Sequence, residues 1–142
     1  PARFALIDAA IRARLADSAP IDAGVRWSLG RITDSGGAAT ISDLAAELGW
    51  SHRRLIARYR DAVGLPPKLF ARIVRFERLV ALVAGDPAVD WAGAALRCGY
   101  FDQAHLAREV RELADITPTA LRTQTVNSVQ DGAPAGGLAS PS

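Results

Sequence analysis

Arginine is the residue type whose placement in this chain suggests chemistry. Arg53, Arg54, Arg58 and Arg60 lie within Ser51–Val63, and Lys68, Arg72, Arg75 and Arg78 follow before position 80. A guanidinium presents paired N–H donors, which suit the O6/N7 edge of guanine and the oxygens of phosphate. Residues 51–80 set these eight cations against Asp61 and Glu77, a net +6, while the whole 142-residue chain carries only +2. Basic charge concentrated in this way fits a polyanionic partner, although the ordinary fate of a charge run is a solvated helix surface. No nucleophile–base pair, glycine-rich phosphate loop or zinc pattern accompanies it, so no enzyme activity and no cofactor are expected. His52 and His105 lack carboxylate or cysteine companions at ligand spacing, so no metal site is expected either. His105 reads as structural, bonding a nearby cap or backbone group. Cys98 is the only cysteine; beside Leu96 and Tyr100 it reads as a buried packing thiol rather than a redox sensor.

An arginine reads a base only from a rigid support. Ser51 is a helix-capping residue, and Leu55, Tyr59 and Val63 recur every fourth position, so they share one helical face. His52, Arg53, Ile56 and Arg60 fall on the opposite side, with Arg54 and Arg58 flanking the apolar stripe. A short helix with an anchored stripe and a basic outer face is what the major groove accepts. Upstream, Asp22 is placed to cap a helix running to Asp34, with Val25, Leu29 and Ile32 as its stripe and Gly36-Gly37 as its stop. Ser42 is expected to cap a helix over 43–48, with Ile41 as a hydrophobic staple. Gly49 permits a tight turn and Trp50 fills the space behind it. Helix, glycine turn, helix is the helix-turn-helix pattern.

Downstream, Pro66-Pro67 opens a long helix to about Ala84, roughly 27 Å at about 1.5 Å per residue. Asp90 is expected to cap a helix over 91–97, Gly99 to make a turn, and Asp102 to cap a helix over 103–113 with Leu106, Val110 and Leu113 inside. Thr117-Pro118 starts a last short helix to about Thr123. The two halves repeat: Leu55, Tyr59, Leu65 and Pro67 have the same spacing as Leu106, Val110, Ile116 and Pro118, and Ala45/Gly49 matches Ala95/Gly99. The second turn is one residue longer. The expected fold is therefore all-α, two helix-turn-helix subdomains joined by a long linker helix. The first unit with the linker spans 21–84 and the second 85–124. Residues 1–20 hold an amphipathic helix, either the remnant of an upstream domain or a helix packed on the first lobe. Residues 125–142 read as a disordered tail.

The repeat, together with ISDLAAELGWS, L-x-x-x-Y, GLPPK and above all GYFDQAHLAREVRELADITPTALR, resembles the DNA-binding domain of the AraC/XylS family of bacterial transcription regulators over about Val25–Arg122. The resemblance implies that helices 51–63 and 103–113 each enter a major groove on one face of double-stranded DNA. It places base-reading positions on Arg53, Ile56 and Ala57 in the first helix, and on Gln103, Ala104, Ala107 and Arg108 in the second. By residue chemistry Arg53 suits guanine and Gln103 suits adenine, while Arg108 either reads a base or pairs with Asp102 or Glu112. His52, Arg54 and Arg60 extend the first surface, and Arg60, Lys68 and Arg111 suit phosphate. Two departures matter. The family often has arginine where Ala57 stands, and residues 100–122 carry three arginines against four acids. The first unit is therefore expected to supply more of the affinity.

No apolar run approaches the roughly 20 residues needed to cross a bilayer, and no signal-peptide pattern is present, so the chain reads as a cytoplasmic, monomeric fragment with no membrane partner. RNA polymerase is an expected partner if the protein is an activator. A helical protein-interaction module with a basic face for an acidic partner is the alternative, and the DNA-targeting half of a larger enzyme is a third.

Overall fold

The computed structural model describes residues 21–132, together with Ala9. Among these residues there are seven assigned helices and no strand: α1 (Ala23–Asp34), α2 (Ile41–Leu48), α3 (His52–Ala62), α4 (Pro67–Gly85), α5 (Trp91–Cys98), α6 (Gln103–Ala114) and α7 (Pro118–Gly132). The expected helix over 3–15 lies outside the described residues, as do residues 133–142.

Side-chain caps fix where the short helices begin. Carboxylates or hydroxyls of Asp22, Ser51, Asp90 and Asp102 accept from the backbone N–H of Gly24, Arg54, Gly93 and His105, at 2.8, 3.1, 3.1 and 2.7 Å. Each satisfies a donor that the first helical turn leaves without a partner. α4 has no side-chain cap; it opens on Pro67, whose missing N–H removes one unpartnered donor and whose fixed φ suits the first helical turn. One expected cap is corrected. Thr40, not Ser42, caps α2, accepting from Asp43 N–H at 3.1 Å, so Ile41 is the first helical residue.

Both helix-turn-helix turns use the same device. Gly49 and Gly99 adopt φ of 68° and 81°, and the next residue, Trp50 or Tyr100, donates its N–H to the carbonyl of Ala45 or Ala95, 2.9 Å in each case. A side chain at either glycine would meet the steric cost of left-handed backbone.

Two hydrophobic cores result. Val25, Ile32, Leu44, Ala45, Leu55, Tyr59 and Val63 form the first with Ala71 of α4. Val89, Ala94, Ala95, Cys98, Tyr100, Leu106, Val110 and Leu121 form the second with Phe76, Leu79 and Val83 of α4. The roughly 28 Å linker helix is thus a wall shared by both lobes rather than a bare rod. α7 also corrects an expectation: it continues to Gly132, well past Thr123, packing along α4 with Leu121 and Thr125 buried one turn apart. The segment lacks a sustained apolar period, but it contains no proline or glycine between Pro118 and Gly132. The breakers that suggested disorder all lie at its end or beyond.

Tyr59 anchors α3 in the first core. Its hydroxyl shares a 2.7 Å hydrogen bond with Ser28 of α1, and both side chains are fully buried. Burial pushes the Tyr59 phenol up from 10.0 to about 12, with the Ser28 bond pulling weakly the other way. Because the folded value lies above the unfolded one, this contribution to stability is complete below pH 10 and fades as pH rises toward 12. Tyr100, raised by burial and then by Glu109, acts in the same direction. On alkaline titration the unfolding free energy should therefore fall, by about 2 kcal/mol between pH 10 and 12 for Tyr59, with Tyr100 adding to the fall. Tyr59→Phe should flatten that fall by one phenol's share; an unchanged slope would refute the assignment.

Candidate nucleic-acid interface

α3 buries Leu55 and Tyr59 and leaves Arg53, Ile56, Ala57 and Arg60 outward. Together with Asp61 these four line a shallow recess of about 600 Å³ on the outer side of the helix. α6 buries Leu106, Glu109 and Val110 and leaves Gln103, Ala104, Arg108 and Arg111 exposed, with Ala107 half-buried beside them. The two helices are not independent surfaces. An open cleft of about 1040 Å³ runs between them. His52, Ile56 and Arg60, one turn apart along the flank of α3, border one side; His105, Arg108 and Glu112 of α6 border the other; Lys68, Arg72 and Arg75 of α4 line the floor. Ile56 and Arg60 belong to both recess and cleft, so the outer face of α3 continues round into the space that α6 overlooks. Arg111 is exposed but does not line the cleft.

Seven of the eight cations of residues 51–80 divide into two groups, and the eighth, Arg78, lies against Gly36. Arg54 stacks over Trp50, 4.7 Å from the ring centre, and Arg58 pairs with Asp22 at 3.6 Å. Arg72 donates to Glu109 at 3.0 Å and to Glu112 at 2.5 Å. Arg75 reaches Glu109 at 3.4 Å and the Gly37 carbonyl at 3.0 Å, and it lies over Tyr100. Half of the basic cluster therefore has internal partners. Arg53, Arg60 and Lys68 pair with no carboxylate among the described residues, and neither do Arg108 and Arg111. The pairing of Arg108 with Asp102 or Glu112 is not found: Asp102 caps α6 and Glu112 is taken by Arg72. Arg122 is internal too, stacked 4.1 Å from Trp91 and donating to the Val89 carbonyl.

The sequence reading missed the Arg72–Glu109–Arg75 junction. Glu109 is 3% exposed and sits on the linker side of α6. Arg75 adds a tie to the loop before α2, so one network joins the first lobe, the linker and the second lobe. The only local signal was a carboxylate three residues after Leu106, on the face the apolar stripe uses. His105 is structural as expected: its Nδ1 accepts from Phe101 N–H at 3.1 Å, with its ring edge-on to Tyr100. Cys98 is a packing thiol, 1% exposed, its ionisation pushed up by burial.

No helix among the described residues is long and apolar enough to cross a membrane. Residues 44–124 match a family model described as a helix-turn-helix domain. No curated protein matches the chain. Three solved structures are similar to it. The C-terminal domain of AraT, a response regulator from Geobacillus stearothermophilus, aligns with TM-score 0.69 and 18% identity over 75% of this chain and 88% of its own. A probable AraC family transcriptional regulator from Rhodopseudomonas palustris CGA009 aligns with TM-score 0.61 and 26% identity over 73% and 98%. A DNA-binding transcriptional dual regulator from Escherichia coli K-12 aligns with TM-score 0.59 and 19% identity over 78% and 99%. The first and third likenesses speak for the fold, and the matched family covers more than half of the chain. Two glycine-turn units on a shared helix, unpaired cations on the outer helices and the family match lead to one statement: this chain belongs to the AraC-type helix-turn-helix family and is a DNA-binding transcription-regulator domain.

Proposed function

We propose that this domain binds double-stranded DNA sequence-specifically, with α3 and α6 entering successive major grooves on one side of the duplex. The observation that carries this reading is the common cleft: both helices border it, and unpaired cations stand on its rim. Both helices are braced on α4, α6 through the Glu109 bonds to Arg72 and Arg75, and the reading sets them in successive major grooves, about 34 Å apart. Arg53, Ile56 and Ala57 would meet base edges in one groove, with His52 and Arg60 beside them. Gln103, Ala104, Ala107 and Arg108 would meet them in the other. Lys68 and Arg111 suit phosphate. Arg54, held on Trp50, suits the backbone rather than a base. The first lobe supplies more of the affinity, and one chain supplies both reading helices, so the domain acts as a monomer; a DNA partner places it in the cytoplasm. RNA polymerase is a further partner where the regulator activates.

Selection of bound oligonucleotides from random DNA tests the reading. The expected result is a site of two different half-sites centred about 10 base pairs apart. Enrichment of no sequence, or of a single half-site only, overturns it. Affinity should also fall steeply with salt, and Lys68→Ala should lower the slope of log K against log salt by about 1 without changing the preferred sequence.

A further inference from the structure

The two turns differ by one residue, and the structure identifies it. Trp50 and Tyr100 are equivalent, since each follows the left-handed glycine and each donates to the carbonyl five residues back. After Trp50 comes the capping Ser51; after Tyr100 comes Phe101, and only then the capping Asp102. Phe101 is thus an insertion with no counterpart in the first lobe. Trp50 lies half-buried beneath Arg54 and Tyr100 is buried in its core, but Phe101 is 92% exposed. Its backbone is nonetheless fixed from both sides: its own N–H is bonded to His105 and the next residue caps α6. An ordered backbone therefore presents a free aromatic ring to water two residues before Gln103, across the capping Asp102.

A helix-turn-helix reading helix addresses base edges with its N-terminal residues. An apolar side chain there has one apolar target in the major groove, the C5-methyl group of thymine. We propose that Phe101 is a specificity-determining residue of the second lobe, its ring packing on a thymine methyl at the edge of the half-site that α6 reads. The inference rests on the proposed function. The ring is too exposed to contribute to the fold, and its place in the chain continues the surface of Gln103 and Ala104.

The test uses the whole chain and the site it selects. Each thymine of the second half-site is replaced in turn by deoxyuracil, which lacks only the methyl group. At one position the wild type should lose about three- to fourfold in affinity, the weight of one buried methyl. Phe101→Ala should bind the thymine site more weakly by at least that factor and be indifferent to deoxyuracil at that position. Phe101→Leu and Arg53→Ala should both remain sensitive there. A wild type indifferent to every replacement, or a Phe101→Ala protein as sensitive as the wild type throughout, overturns the proposal. So does a Phe101→Ala protein with unchanged DNA affinity but impaired transcription, which would assign the ring, with the exposed Leu96, to a protein partner. If no site is selected at all, the proposed function itself fails and this inference falls with it.

Discussion

Replacing Glu109 by leucine is expected to cost about 3–5 kcal/mol of folding stability, the range measured when one member of a buried ionic cluster is removed. The carboxylate is 3% exposed and stands between Arg72 and Arg75, whose side chains are 28% and 16% exposed. Leucine would fit the apolar environment, but it would leave both guanidinium groups partly desolvated without a counter-charge. Arg75 has little in reserve, because its Nε already lacks a partner. In a domain between about 100 and 150 residues each kcal/mol lowers the melting temperature by roughly 3–5 °C, so the loss should reach about 10–25 °C. Glu112→Ala is the control. Its carboxylate is 62% exposed, so its bond to Arg72 should be worth about 0–1 kcal/mol. Glu109→Gln keeps an acceptor and should fall between the two. A Glu109→Leu protein that melts within a few degrees of the wild type would show that the junction is not holding the lobes together. A buried ionic cluster is a poor source of net stability compared with apolar packing. Its effect here is to connect: Glu109 of the second lobe bonds two linker arginines, and one of them also reaches the Gly37 carbonyl of the first lobe.

Arg53→Ala should have the opposite profile. Arg53 is exposed, has no carboxylate partner among the described residues, and lines the outer recess of α3. Its removal should leave the melting temperature nearly unchanged. Affinity for the selected site should fall by about 10- to 100-fold, the value of one bidentate contact to guanine, and the preference at one base pair should relax. Arg108→Ala should do the same at a base pair in the other half-site. Binding isotherms on the selected site and on its single-base variants measure both effects. Unchanged affinity and unchanged preference in both proteins would remove the base-reading assignment from these arginines. Arg54→Ala should weaken binding less and without a change in preference, since that guanidinium is committed to Trp50.

The features legible in the sequence were the local ones. Asp22, Ser51, Asp90 and Asp102 cap because a short polar side chain reaches the N–H two or three residues on, and that distance is fixed by the helix alone. Gly49, Gly99 and Pro67 were readable for the same reason. Thr40 and Ser42 both stood at a plausible start, and each has the hydroxyl for it. The choice fell to Thr40 because Ile41, partly buried, packs on the first core as a helical residue. The extent of α7 was hidden because its support comes from α4, far away in sequence, while its own composition is polar. The charge count misled in a similar way. Eight cations within thirty residues looked like one basic face, but Arg72 and Arg75 find Glu109 more than thirty residues away. Periodicity separated the outer faces of α3 and α6 from their cores; it could not say which cations on those faces were already taken.

The unequal turns have a consequence for direction. A repressor dimer has a twofold axis, so its site reads the same from either end. Here the two halves carry different side chains and one has an additional ring, so no rotation exchanges them. Under the proposed function, DNA occupied by this domain acquires a head and a tail, and anything approaching along the duplex always meets the same lobe first.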